Sequence, residues 1–268
     1  MSIPAHLVGR KPALKVADVP AEVLHYLNLG TLESANLTEW LAIDPVALVS
    51  TVFKKLRPSW IPVLTAGIQD LKKPTAMAVT RCVGAQLAAL ATKAGSVDAT
   101  LNWLLAHPSD TVRGYAATMV AALDLPLADT LQGLRPVAAD AHFGPREIAM
   151  FAAKPCIGRD LDLAVRLLRP FTAESDENLR RFAIEATRPI GVWTSHLPAL
   201  KAQPGIGLPL LEPLRADPSR YVQNAVANWL NDAAKSQPAW VRQVCQRWLA
   251  ESPGPATAYI VKRGMRNL

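Results

Sequence analysis

Glu177-Asn178-Leu179-Arg180-Arg181-Phe182-Ala183-Ile184-Glu185-Ala186-Thr187-Arg188-Pro189 sets Leu179, Phe182, Ala183 and Ala186 at i, i+3, i+4 and i+7. That spacing puts one apolar stripe on one side of an α-helix. It leaves Arg181, Glu185 and Arg188 together on another face, with a carboxylate between two guanidinium groups. Three further stretches read as versions of the same helix: Ser109-Asp110-Thr111-Val112-Arg113-Gly114-Tyr115-Ala116, Gly144-Pro145-Arg146-Glu147-Ile148-Ala149 and Pro218-Ser219-Arg220-Tyr221-Val222-Gln223-Asn224-Ala225. They recur at about 33 to 42 residues, a period typical of stacked helix pairs.

Composition points the same way. The chain has 268 residues, 50% of them apolar, and only 14 glycines, enough to bury a core and biased towards helix over sheet. Its 22 prolines recur at helix-start positions, as in Asp44-Pro45, Gly144-Pro145 and Asp217-Pro218, where the missing N–H costs nothing. The expected fold is all-α: a HEAT-like helical repeat solenoid, an alpha-alpha superhelix with a concave basic face lined by the second helix of each pair. The expected organisation is a partly disordered basic arm over residues 1–19, carrying Arg10, Lys11 and Lys15, followed by one repeat domain over residues 20–268.

The net charge of +7 suits a polyanionic partner. Cys82, Cys156 and Cys245 stand far apart with no CxxC pairing, which offers neither a zinc site nor a disulfide framework. Arg81 and Lys93 interrupt the Ala-rich segment around residues 76–94, so no membrane span is expected; the cysteine spacing and the motifs offer no metal or cofactor either. A cytoplasmic and monomeric protein, nucleoid-associated if its polyanionic partner is nucleic acid, is the expectation. Gly-rich phosphate loops, HExxH helices and nucleophile elbows are absent from the sequence.

Three acids fall on three successive candidate inner helices: Glu147, Glu185 and Asp232. Glu185, in the middle, is the acid expected to matter most. Each also has a plain structural reading, Glu147 at a helix start, Glu185 with salt-bridge partners at i−4 and i+3, and Asp232 beside Lys235. On the helix from Pro218 to Lys235, Val222, Ala225, Val226 and Trp229 form the buried stripe. Asn224, Asn228, Asn231, Asp232 and Lys235 form an exposed polar one, expected either to bond to something outside the helix or to be a solvated face with contacts to a neighbouring helix. Trp229, Trp240 and Trp248 read as core, whereas Trp193 follows a helix end, where its ring is placed either to project beside Glu185 or to pack against the helix terminus.

Two of these stretches carry a resemblance. Residues 177–189 and 221–235 look like the two signature helices of AlkC-type proteins, Val-Arg-Arg…Ser-Glu-Gly-Thr-Arg-Pro and Tyr-Val-Arg-Arg-Ser-Val-Ala-Asn-x-Leu-Asn-Asp-x-x-Lys. Glu147-Ile148-Ala149-Met150 is similar, over a shorter span, to a third element, Ser-Ser-Glu-Phe-Ala-Ile-Arg-Pro. The chain thus resembles the AlkC/AlkD group of bacterial alkylpurine DNA glycosylases, nearer AlkC, from about residue 140 onwards. The resemblance implies a hydrolase that excises positively charged N3- or N7-alkylated bases from double-stranded DNA without flipping them into a pocket. It implies that Glu147, Glu185 and Asp232 face the lesion with Trp193 beside them. Arg113, Arg146, Arg181, Arg188, Asn228, Asn231 and Lys235 would then hold the DNA. The chain departs from the pattern at Gln223 and Asn224, where arginines are paired, at Ile190, and at Lys154-Pro155, where the Arg-Pro is displaced. Lost phosphate contacts would weaken binding in a salt-dependent way. A non-catalytic HEAT-repeat protein that binds distorted or branched DNA is the alternative, with a protein-interaction scaffold as a third reading.

Overall fold

The computed structural model describes residues 3–191 and 194–268, and among these every regular element is helical. The chain divides into two compact units, Met1–Leu125 with Asp140–Ala149, and Pro126–Ala139 with Met150–Leu268. The first contains α1 (Ala21–Asn28), α2 (Leu37–Ala42), α3 (Pro45–Val52), α4 (Ile61–Gln69), α5 (Ala76–Lys93), α6 (Val97–Leu105) and α7 (Asp110–Ala122). The second contains α8 (Leu127–Ala138), α10 (Leu161–Leu168), α11 (Glu177–Glu185), α12 (Pro198–Ala202), α13 (Leu208–Leu211), α14 (Arg220–Ala234), α15 (Pro238–Glu251) and α16 (Pro255–Gly264). The dividing point falls inside α9 (Phe143–Arg159). Among the described residues no helix is long and apolar enough to cross a membrane.

The four stretches singled out by their spacing are α7, α9, α11 and α14. Short polar side chains start three of them by accepting from freed backbone N–H groups: Ser109 from Val112, Asp176 from Asn178, and Ser219 from Tyr221 and Val222. Leu179, Phe182, Ala183 and Ala186 are buried as their spacing requires, and so are Val222, Ala225, Val226 and Trp229.

A recurring clamp fixes each of these helices to the loop before it. Arg113 Nη1 donates to the carbonyls of His107 (3.0 Å) and Pro108 (3.1 Å). Its Nε and Nη2 grip Asp140 at 2.6 and 3.1 Å, while Asp140 Oδ1 accepts from the His142 N–H at 2.7 Å. Arg146 Nη1 repeats the backward reach onto Asp140 O (2.6 Å) and Ala141 O (2.8 Å). In the second unit Arg180 Nη1 reaches Glu174 O (2.8 Å) and Ser175 O (2.9 Å), and Arg180 grips Asp217 at 2.7 and 3.1 Å. Gln223 Nε2 donates to Asp217 O at 2.7 Å, the same backward reach made by an amide. Gln223 therefore stands in a structural position, not in that of a lost phosphate contact. Arg113 and Arg146 spend their donors on loops, and the Arg113 side chain is only 12% exposed.

The arm that the sequence suggests is partly disordered is tied down over its described residues. Leu7 packs into a cluster with Val23, Leu27 and Leu32, and Arg10 forms two hydrogen bonds with the buried carboxylate of Glu39. Arg10 also donates to the Glu33 carbonyl at 2.8 Å.

α5 and α7 approach so closely that Gly84 has no room for a side chain. A Cβ there would lie 2.2 Å from Thr118 Oγ1 and 2.6 Å from the Thr118 carbonyl carbon, and backbone cannot swing aside. Thr118 Oγ1 also donates to Thr80 O at 3.0 Å, which holds the two helices at this spacing. Gly84→Ala is expected to destabilise the first unit by about 1–3 kcal/mol, the usual cost of overpacking. Urea denaturation measures it, and an unchanged midpoint would show that the helices can separate freely.

Candidate functional site

The site is built where α11 ends. Thr187 Oγ1 donates back to the carbonyls of Ala183 (3.0 Å) and Ile184 (3.1 Å) and closes the last turn. Trp229 of α14, fully buried, donates its Nε1–H to Thr187 O at 2.9 Å and pins that turn to α14. Gly207 makes room for the indole, since a Cβ there would sit 2.5 Å from Trp229 Cζ2. These packing contacts set Glu185 and Arg188 opposite Asp232.

Glu185 is 6% exposed and Asp232 3%. Arg188 lies between them: its Nε and Nη2 are each 2.8 Å from Asp232 Oδ2, and its Nη1 is 3.1 Å from Glu185 Oε2. Arg181 Nη2 stands 3.6 Å from Glu185 Oε1 and its guanidinium lies over the Tyr221 ring, 4.3 Å from the centroid. Lys235 Nζ approaches Asp232 Oδ1 at 3.5 Å. Glu185 is thus flanked by Arg181 and Arg188, as its sequence spacing indicates. Burial opposes the charge of Arg188, and the two carboxylates hold its guanidinium above its ordinary range.

The sequence reading misses one member of this cluster. Lys154 of α9 is 2% exposed. Burial, together with the positive charge of Arg188, lowers its ammonium to about 8, against partial support from Asp232 and Glu185. A signal for it exists: Lys154 is the sole charge in the run Ile148-Ala149-Met150-Phe151-Ala152-Ala153-Lys154-Pro155-Cys156-Ile157. A charge inside so apolar a helix is buried and needs partners. The unfolded chain holds this proton up to the ordinary 10.5 while the folded one gives it up near 8. Between those values the unfolded state binds more protons, so stability rises with pH. Lys154→Met is expected to flatten that rise, as read from unfolding free energies at several pH values between the two. An identical slope in the variant would show that the ammonium is not desolvated.

The other expected site residues separate. Glu147 belongs to the first unit, half-buried. Setting Phe151-Ala152-Ala153-Lys154-Pro155 against the Phe-Ala-Ile-Arg-Pro of the third element leaves no displacement and puts Met150 at the glutamate position. Trp193 lies outside the described residues. The asparagine stripe of α14 is not open to solvent as a whole. Asn224 accepts from the Tyr259 hydroxyl at 2.7 Å and Asn228 from Arg266 Nη2 at 3.2 Å, both contacts to the C-terminal segment. Asn231 and Asp232 are buried. The amides of Asn224 and Asn228 bond outside their helix to a neighbouring part of the same chain, while the buried Asn231 Oδ1 has no hydrogen-bond partner among the described residues. Trp229 and Trp248 are core, and Trp240 is half-buried against Trp229.

No family model matches the chain. A stretch of 118 residues is 37% identical to the uncharacterized protein YhaZ of Bacillus subtilis (strain 168), covering 44% of this chain and 32% of that one. The chain therefore spans about a third of the curated relative it matches. The structure is similar to the alkylpurine DNA glycosylase AlkC of Pseudomonas fluorescens bound to DNA containing an abasic site analog. The TM-score is 0.66 and the identity 22%, over 95% of this chain and 64% of that one. It is also similar to AlkD2 from Streptococcus mutans, with a TM-score of 0.57 and 19% identity over 78% of this chain and 99% of that one. The packing of these helices is accordingly a helical-repeat fold of the AlkC/AlkD type.

Proposed function

We propose that the chain is a DNA glycosylase that hydrolyses the N-glycosidic bond of positively charged N3- or N7-alkylated bases in duplex DNA without base flipping. The observation that carries this is the convergence of two buried carboxylates, Glu185 and Asp232, on the end of one repeat helix in a fold of this type. A cationic base is already a good leaving group, so the protein needs no strong general acid. What it must supply is negative charge against the oxocarbenium-like sugar and a place for water. Glu185 has the looser contacts, at 3.1 and 3.6 Å, and is the better placed of the two to turn its field on a substrate. Asp232 is held at 2.8 Å by two nitrogens of Arg188 and serves chiefly to hold that guanidinium.

Arg181, Arg188, Lys235 and Asn228 remain in the set proposed to hold DNA, with Asn231 buried behind them. Arg113 and Arg146 leave it, because their donors are committed to loops. Glu147 leaves the proposed catalytic set for the register reason given above. The test is release of free base from methylated duplex DNA, resolving N3-methyladenine, N7-methylguanine and N3-methylcytosine. No release, with DNA binding retained, refutes the activity.

A second reading, non-catalytic binding of distorted or branched DNA, is favoured by a specific observation. Both carboxylates are already engaged by guanidinium groups, and Met150 takes the place of a third acid. It expects tight binding to branched duplexes and no base release.

A further inference from the structure

The polar stripe of α14 does not end at the carboxylate cluster. Arg220, Asn224 and Asn228 stand at i, i+4 and i+8 and carry it back to the start of the helix. At 1.5 Å per residue the stripe from Arg220 to Lys235 is about 22 Å long. α16 lies along it at backbone distance: a Cβ on Gly264 would sit 3.1 Å from Leu230 Cβ and 3.6 Å from Ala227 O. From this position Tyr259 donates its hydroxyl to Asn224 Oδ1 at 2.7 Å, and Arg266 Nη2 donates to Asn228 Oδ1 at 3.2 Å. A guanidinium can only donate, so Asn228 turns its oxygen towards Arg266 and its amide hydrogens away. The Arg220 guanidinium rests on the Tyr259 ring, 3.5 Å from the centroid, and Arg266 Nη1 donates to Arg263 O at 2.7 Å. The C-terminal segment thus fixes the direction in which the stripe presents its donors.

The surface so formed is cationic with little to balance it. Arg220, Lys262, Arg263 and Arg266 are exposed, and none of them forms an ion pair among the described residues. Burial, and then the positive charges of Arg263 and Arg188, push the Arg266 guanidinium below its ordinary range, with Asp232 opposing. Gathering like charges costs folding free energy, and a polyanion laid across them offsets that cost. The AlkC-type pattern has an arginine where this chain has Asn224, and here the cations stand one turn earlier on α14 and across on α16. We propose that Arg220, Lys262, Arg263 and Arg266 grip the phosphates of one strand of duplex DNA beside the Glu185 site, in place of the arginine absent at position 224. The proposal rests on the reading that this site meets DNA. Each strand carries one charge per 3.4 Å of duplex axis, so a stripe of about 22 Å faces about six phosphates. The Nδ2 groups of Asn224 and Asn228, which have no partner among the described residues, donate to phosphate oxygens between the cations.

The experiment follows binding of the full chain to a fluorescein-labelled, undamaged duplex by anisotropy over a series of potassium chloride concentrations. Each phosphate contact releases counterions, so the slope of log affinity against log salt measures how many contacts are made. The fourfold variant Arg220→Gln, Lys262→Gln, Arg263→Gln, Arg266→Gln should flatten that slope by about 0.9 for each cation removed and weaken binding at least a hundredfold at low salt. Exchanging the three arginines for lysine should keep the slope. Arg242→Gln, which removes an exposed cation from α15, should leave it unchanged. Thermal unfolding shows whether the fourfold variant folds. If it does not, Lys262→Gln and Arg263→Gln, whose side chains make no hydrogen bond among the described residues, carry the test one contact at a time. An unchanged slope in these variants overturns the proposal, as does an equal fall per cation in Arg242→Gln, which would mean that only net charge is read. A flattened slope in the variant of a chain that releases no base from methylated DNA refutes the glycosylase alone. Base release with an unchanged slope refutes the grip alone. A chain that does not bind duplex DNA refutes both.

Discussion

Replacing Arg188 by methionine is expected to lower the unfolding free energy of the second unit by about 3–5 kcal/mol, the cost of stranding buried charges by removing one partner. Arg188 is the common partner of Glu185 and Asp232, whose side chains are each 5% exposed. Its loss leaves Asp232 with the 3.5 Å approach of Lys235, Glu185 with the 3.6 Å approach of Arg181, and both with the buried ammonium of Lys154 nearby. Methionine keeps much of the stem volume, which separates the electrostatic loss from a cavity. Urea denaturation followed by the fluorescence of the buried Trp229 and Trp248 reads the change. The triple variant Arg188→Met, Glu185→Gln, Asp232→Asn should recover part of the loss, because it removes the two stranded carboxylates while Lys154 loses the charges that support it. A midpoint unchanged by Arg188→Met would mean that water reaches both carboxylates and that the cluster is not desolvated.

Glu185→Gln is expected to reduce single-turnover base release by on the order of a thousandfold. A carboxylate about 4 Å from the developing sugar cation, at an effective dielectric near 20, contributes up to about 4 kcal/mol before screening. Glutamine preserves shape and can still bond to Arg188, so melting should move little. Asp232→Asn should show the opposite balance, with a smaller loss of excision and a larger loss of stability, because two nitrogens of Arg188 already lie 2.8 Å from its Oδ2. Excision that survives Glu185→Gln intact would remove this carboxylate from the chemistry and favour the non-catalytic reading.

The helical repeat is legible because its signals are local. Apolar residues at i, i+3, i+4 and i+7 and a Ser or Asp at the helix start decide α7, α11 and α14 within a dozen residues each. The neighbours of Glu185 are legible for the same reason, lying at i−4 and i+3 on its own helix turn. What escapes is set by distant segments. Arg113 reads as a cation available to DNA until Asp140 arrives from 27 residues away, and Arg180, to which the sequence gives no role, is met in the same way by Asp217 from 37 residues away. The asparagines of α14 look solvent-facing because nothing in their own helix announces that Tyr259 and Arg266 will cover them. Lys154 is hidden in a different manner: its partners Glu185, Arg188 and Asp232 lie on other elements, and only the apolarity of its own run betrays it. Glu147 is a matter of register, since a three-residue shift of a short motif moves the acid position to Met150.

The clamp of Arg180 on Asp217 has a consequence for how the second unit opens. Stacked repeats touch only their neighbours, so such a unit can fray helix by helix unless the coupling between adjacent members is strong. Arg180 joins the start of α11 to the loop that launches α14, and Asp217 in turn holds the Ser219 N–H of that loop while Gln223 holds its carbonyl. Releasing α14 alone would break this whole set and strand a buried aspartate. Amide protons in α11 and α14 should therefore exchange with solvent at a shared rate, as one cooperative block, and that block contains both Glu185 and Asp232.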